Sequence, residues 1–272
     1  MITVDLHAHT EYSHGKDSPA AMYAAARARG MTLFGFSEHS PRPLGYNYTR
    51  EYREHLTSCF PVYVREVREL RERDPDGVLL GMEMDWMDAE QDFIRQAVRA
   101  YDFDYLLGSV HFIGTWGYDD TPDDWRQFSD RECSRHYEAY FLAMLNMVRS
   151  GLFNIASHPD LIKIFSVDAF RNWLTEGDHT DLVRDVLAAI RDTGMAMEIS
   201  SAGLRKACRE IYPGPVIMGL AADLGVPVTF GSDAHNVDDV AYGFDQLAAY
   251  ARSFGYDKSV WFRKGERFEQ AF

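Results

Sequence analysis

Apolar positions along this chain fall into two alternating kinds of run. Short β-rich runs occupy ITVDL (2–6), LFGFS (33–37), VLLGMEM (78–84), YLLGSV (105–110), NIAS (154–157), AMEIS (196–200) and VPVTFG (226–231), with a weaker one at SVWFR (259–263). Runs of this length, rich in Val, Ile and Phe, read as strands covered on both faces. Between them lie longer segments with apolar residues at three- and four-residue spacing, the period of an amphipathic helix. SPAAMYAAARARG (18–30) opens on Ser18 as N-cap with Pro19 behind it and closes on Gly30, a strong pair of start and stop signals. The stripe over 49–73 is long and charged on its outer side, and Pro61 is expected to break it. Further helices are expected over 88–101, 129–151, 181–194, 213–225 and 238–255, four of them ending at or near Gly.

Strand–helix alternation repeated seven times predicts an α/β fold, a parallel sheet with helices outside it. No linker, low-complexity tract or internal repeat divides the chain, so a single domain over 1–272 is expected. A closed TIM-like barrel is favoured over an open doubly wound sheet for two reasons. Neither G-x-G-x-x-G nor G-x-x-x-x-G-K-[ST] occurs, whereas open sheets place a Gly-rich phosphate loop at one switch point. Polar residues instead follow many different strands, as they do at the C-terminal face of a barrel.

Those polar residues carry the chemistry. Strand one is followed by His7, His9 and His14, strand two by Glu38 and His39, and strand three by Glu83 and Asp85. After strand four comes His111, after five His158 and Asp160, after six Glu198 and Arg205, and after seven Asp233 and His235. Seven of the ten histidines therefore follow a predicted strand; His55, His136 and His179 do not. His7 and His9 share a strand face, because successive Cβ atoms alternate sides. A lone histidine is usually a hydrogen-bonding group, but seven at one end of a barrel point to ions. Nitrogen and carboxylate donors together suit Zn²⁺, Mn²⁺ or iron better than Mg²⁺ or Ca²⁺. They are too many for one ion and imply two or three divalent transition-metal ions with a bridging carboxylate.

Composition narrows the partners. The formal net charge is −14, which argues against nucleic acid or an anionic membrane. No apolar run is long enough to span a bilayer. Cys59, Cys133 and Cys208 lack C-x-x-C spacing, and with no signal peptide visible they read as free thiols of a cytoplasmic protein.

Taken in order, DLHAHTEYS, SEHS, GME, GSVH, SHPD and GSDAH resemble the motifs of the polymerase-and-histidinol-phosphatase (PHP) superfamily, from residue 3 to about 240. MEISSAGLRK followed by YPGPVIMGLAADLGVPVTFGSDAH is similar to its monofunctional histidinol-phosphatases. The resemblance implies a distorted (β/α)7 barrel and a metal-dependent hydrolase, a phosphatase acting on L-histidinol phosphate in histidine biosynthesis. It also implies metal positions: His7, His9, Glu83 and Asp233 as one set, Glu83, His111 and His158 as a second, and His14, His39 and His235 as a third. Asp17 competes with His14 in the first loop, and His14 is preferred.

Three divalent ions less two carboxylates leave roughly +4 of charge, a trap for a phosphate dianion. The expected reaction is in-line attack of a metal-activated hydroxide on a small phosphorylated metabolite. His39, Glu83, Arg205 and Asp233 are the residues expected to act in catalysis. Arg205 is the expected phosphate clamp, since a guanidinium matches phosphate bidentately, with Lys163 a weaker second. Asp5 either orients a ligand histidine or caps a turn, and Glu38 and Asp85 either support ligands or meet a cationic substrate. Trp86 and Trp116 are further candidates for selecting it. Competing readings are a PHP-type phosphodiesterase or nuclease, a phosphatase of another metabolite, a carbamate-bridged amidohydrolase and a non-enzymatic metal store.

Overall fold

The computed structural model describes residues 1–272. Seven parallel strands form its sheet: β1 (Val4–Asp5), β2 (Leu33–Phe36), β3 (Val78–Asp85), β4 (Tyr105–Ser109), β5 (Ile155–Ala156), β6 (Ala196–Ser200) and β7 (Val228–Gly231), paired in sequence order. The sheet curls until its edges meet. Leu6 N–H donates to Phe230 O at 3.1 Å and His9 N–H to Ala234 O at 2.8 Å, so the barrel is nearly closed.

Eight helices of seven or more residues connect or cover the strands: α1 (Pro19–Ala28), α2 (Arg50–Arg73), α3 (Gln91–Ala97), α4 (Asp130–Arg149), α5 (Val167–Thr175), α6 (His179–Asp192), α7 (Pro215–Leu224) and α8 (Phe244–Ser253). Helix α1 starts as expected, with Ser18 Oγ accepting from Ala21 N–H and Pro19 in the first turn. The expected break at Pro61 does not occur, and α2 runs unbroken through it. An interior proline costs about 3 kcal/mol. The stripe Leu56, Phe60, Tyr63, Val64 and Val67 is buried, and each such side chain gains about 1.5–3 kcal/mol. Burial outweighs the lost bond, and Pro61 itself faces solvent.

Three further departures have local causes. Helix α5 is not among the expected helices; its apolar residues Val167, Phe170, Trp173 and Leu174 keep helical spacing over only nine residues, and it buries Phe170, Trp173 and Leu174. A small hairpin (Phe112–Ile113 with Trp116–Gly117) and a short helix (Pro122–Arg126) fill the β4–α4 connection. The weak strand at 259–263 is no barrel member. It is β8 (Lys258–Arg263), which pairs antiparallel with β9 (Glu266–Ala271). Lys264 and Gly265 turn the hairpin with φ of 51° and 75°, the two left-handed residues that a type I′ turn requires. Val260 and Phe262 of β8 join Val4, Leu6, Leu33, Leu79, Tyr105, Leu107, Ile155 and Ala196 in one apolar cluster. The hairpin thus stoppers the end of the barrel away from the polar residues.

Candidate metal centre and substrate cavity

Toward the C-terminal end of the barrel, the strands and the loops after them deliver His7, His9, His39, Glu83, His111, His158 and Asp233 to one place, all buried. Glu83 is the hub. Its Oε1 lies 2.9 Å from His158 Nε2 and 3.6 Å from His111 Nε2. Its Oε2 lies 2.9 Å from His39 Nδ1, 3.4 Å from His9 Nε2 and 3.5 Å from His7 Nε2. Asp233 Oδ1 faces His9 Nε2 at 3.2 Å and His7 Nε2 at 3.7 Å. Both Asp233 (φ 50°) and His158 (φ 23°) adopt left-handed backbone, a conformation costly for such residues and typical of functional sites.

Four triplets of donor atoms fall within 4.8 Å of one another: His7–Glu83–His158, His7–His9–Asp233, His39–Glu83–His111 and His9–His39–His235. The first three overlap the two sets expected around Glu83. The last differs from the expected third set, because His9 and not His14 completes it. His14 lies at the mouth beside both other members of the expected set, its ring stacked on His235 and on His39 with centroids 4.1 and 5.0 Å away and its Nδ1 2.9 Å from Tyr52 Oη. Asp17 turns away from the centre; its Oδ2 accepts from Val237 N–H at 2.9 Å.

The donors fit divalent transition ions on their own geometry. His7 Nε2 and His9 Nε2 face each other at 3.1 Å. Glu83 Oε2, His39 Nδ1, His158 Nδ1 and His235 Nε2 are buried without a hydrogen-bond partner, a costly arrangement unless something else satisfies them. Mixed imidazole and carboxylate donors suit Zn²⁺, Mn²⁺ or iron.

Carboxylates behind the rings hold them. Glu198 Oε1 meets His7 Nδ1 at 2.7 Å while its Oε2 accepts from His158 N–H at 2.8 Å. Asp85 Oδ1 meets His111 Nδ1 at 2.6 Å, and Glu38 Oε1 meets His9 Nδ1 at 3.3 Å. Glu38 and Asp85 therefore support rings. Asp5 touches no ligand ring; it accepts from Ser232 N–H (2.9 Å), Ser232 Oγ (2.6 Å), Ala241 N–H and His7 N–H, tying β1 to the last loops. Gly231 is obligatory here, since an added Cβ would collide with Glu198 Oε1 and His7 Cβ.

Charges follow from this crowding. Burial opposes a proton on His7, yet Glu198, Glu83 and Asp233 outweigh it and raise its pKa well above the usual value. His9 likewise rises to about 9, with burial overcome by Asp233 and Glu38. Burial favours neutral Glu83, but His7, His39 and His111 hold it well below the carboxylate range. His39 and His235 are lowered well below 6.5 by burial and by His9.

A cavity of about 540 Å³ opens onto His14, His39 and His111, with Arg42, Tyr48, Tyr52, Asp119, Asp120, Phe165 and Lys206 among its walls. Arg205 is not one of them. Its guanidinium is spent on Ser232 O, Asp233 O (3.2 Å) and Asp239 Oδ2 (2.8 Å), bracing the last loop. The neighbouring Lys206 faces the cavity, with Nζ 3.2 Å from Asp233 Oδ2. Lys163 also lies elsewhere, buried with Nζ 2.8 Å from Asp160 Oδ2 and 3.2 Å from Glu210 Oε2. Trp86 and Trp116 pack outside the cavity, Trp86 against Phe153 and Trp116 among Trp125, Phe128 and His136. Sequence reasoning missed Arg42, buried with Nε 2.5 Å from Asp85 Oδ2. Its signal, the SPRP context after His39, indicates only a turn.

The comparisons with known proteins agree with this architecture. The family model for the PHP domain matches residues 5–202. A protein described as a probable histidinol-phosphatase from Deinococcus radiodurans is 30% identical over 266 residues, covering 95% of this chain and 96% of that one. The histidinol-phosphatase of Bacillus subtilis is 25% identical, covering 89% and 96%. Among solved structures, histidinol phosphate phosphatase from Lactococcus lactis, complexed with zinc, L-histidinol and phosphate, superposes with a TM-score of 0.78 at 21% identity, over 98% of both chains. With its motifs in register and most of its length matched, this chain belongs to the PHP domain family.

Proposed function

We propose that the protein is a metal-dependent phosphomonoesterase that hydrolyses L-histidinol phosphate to L-histidinol and phosphate. The observation that carries this reading is the Glu83-centred array of imidazoles and carboxylates, opening onto a cavity large enough for a small phosphate ester. The similarity to histidinol-phosphatases over nearly the whole chain supports the choice of ester.

Bound divalent ions would supply positive charge for the phosphoryl oxygens and a water acidified towards neutral pH. His7, His9, His39, Glu83, His111, His158, Asp233 and His235 are the residues that would hold them. The protein's part is orientation: Glu198, Asp85 and Glu38 fix the tautomers and directions of His7, His111 and His9. Lys206, beside Asp233 on the cavity wall, places an ammonium where phosphate oxygens enter, the role expected of Arg205. His14, stacked over His235 at the mouth, narrows the entrance and limits water. Asp119 and Asp120 on the same wall repel an extended polyanion, which favours a small ester over a nucleic-acid strand.

Phosphate release from L-histidinol phosphate, measured with Mn²⁺, Zn²⁺ or Fe²⁺ supplied, tests the proposal against a dinucleotide diester and an acyl amide. Preferential turnover of the monoester is expected. Failure to turn over any monoester would overturn the reading.

A further inference from the structure

One wall of the cavity is built from three residues in series. Arg42 is 3% exposed and salt-bridged to Asp85 through Nε, yet its Nη1 has no partner. Its guanidinium lies 5.1 Å from the centre of the Tyr48 ring. Tyr48 Oη in turn donates to Asp119 Oδ1 at 2.5 Å. Arg42 thereby anchors the ring, and the ring holds a carboxylate at the cavity surface, where Arg42, Tyr48 and Asp119 all lie. The charge of Arg42 is offset by Asp85, so Asp119 and the neighbouring Asp120 set the charge of this wall, and Asp119 is the one held by Tyr48. Lys206, also on the cavity, is 3.2 Å from Asp233 and forms no ion pair with Asp119. A carboxylate that shares a cavity with a cation without pairing with it, and is held by a tyrosine, has capacity left for another donor.

We infer that Asp119, positioned by Tyr48 on the buried Arg42, selects phosphate esters whose leaving alcohol carries an ammonium group. This rests on the phosphatase reading and extends it from the reacting phosphate to the far end of the substrate. The cavity is then bipolar: Lys206 and the metal donors face the dianion, and Asp119 faces the cation. A neutral ester would gain the first interaction and lose the second.

The test is a cycle of four kcat/KM values on the metal-loaded protein: unaltered and Asp119→Asn, each with L-histidinol phosphate and with its N-acetylated derivative. In the unaltered protein, acetylation should lower kcat/KM by roughly 10- to 100-fold, the value of a charge-assisted hydrogen bond. In Asp119→Asn the penalty should shrink to about threefold or less, the loss of coupling that such a cycle isolates. Tyr48→Phe should shrink it part of the way. An equal penalty in the unaltered and Asp119→Asn proteins overturns the inference alone. No turnover of either ester by the unaltered protein overturns the phosphatase reading, and this inference with it.

Discussion

Val4, Leu33, Leu79 and Ile155 near the starts of their strands, with Leu6 and Leu107 further along, meet Val260 and Phe262 in an apolar plug. Toward the C-terminal ends of the strands, His7, His9, Glu83, His111, His158 and Asp233 are equally buried but polar. The first end is satisfied by its own packing, and its left-handed Lys264 serves only the hairpin turn. The second holds orphaned nitrogen and oxygen atoms and two left-handed non-glycine residues. Stability and chemistry are thus separated along the barrel axis. The plug supplies free energy without regard to ions, and the opposite end spends it on keeping ligands together without them.

Glu83→Ala should show the largest effect. It removes the one carboxylate that reaches five histidines. Elemental analysis should find the metal lost, and activity should fall about 10³-fold or more. Full metal content in this variant would break the assignment of Glu83 as hub. Phe262→Ala attacks the other end. It should cost about 3–5 kcal/mol in denaturant unfolding while the refolded protein binds the same number of ions. A fall in metal stoichiometry would mean that the two ends are coupled.

Glu198→Gln is smaller and tests the support behind the ligands. With His7 Nδ1 no longer facing a charged partner, metal affinity should drop about 10- to 100-fold, read by competition with a chelator. Smallest is the proton count. In the metal-free protein His9 has a pKa of about 9 against the ordinary 6.5, so it is protonated at pH 7.5, and an ion must displace that proton. Calorimetry in buffers of different ionisation enthalpy should find about one or more protons released, with apparent affinity rising as pH climbs towards 9. Proton uptake would contradict the sign.

Much of this site was legible before folding because its rules are local. His7 and His9 share a face by strand alternation, and His39, His111, His158 and His235 each follow a strand by a few residues. Other features were hidden for equally physical reasons. Arg205 and Lys206 are adjacent, and only the course of the turn after β6, with its 3₁₀ segment at Ala202–Leu204, sends the first to loop carbonyls and the second to the cavity. Pro61 looks like a break because propensity is local, while the burial that carries α2 through it comes from distant strands; Tyr63 Oη even donates to Gly81 O at 2.8 Å. Glu198 lies on a strand 191 positions from the His7 it orients, and no spacing rule connects them.

What the chain determined alone was the repeating alternation of strand and helix, and therefore the barrel and the identity of the residues gathered at its end. Periodicity and strand-end position depend only on near neighbours. Tertiary structure alone decided the groupings: His9 beside His235, His14 at the mouth, Asp17 on a loop, and Lys206, but not Arg205 or Lys163, on the cavity wall. Those choices turn on distances of an ångström or two between side chains far apart in sequence, set by how loops close and cores pack.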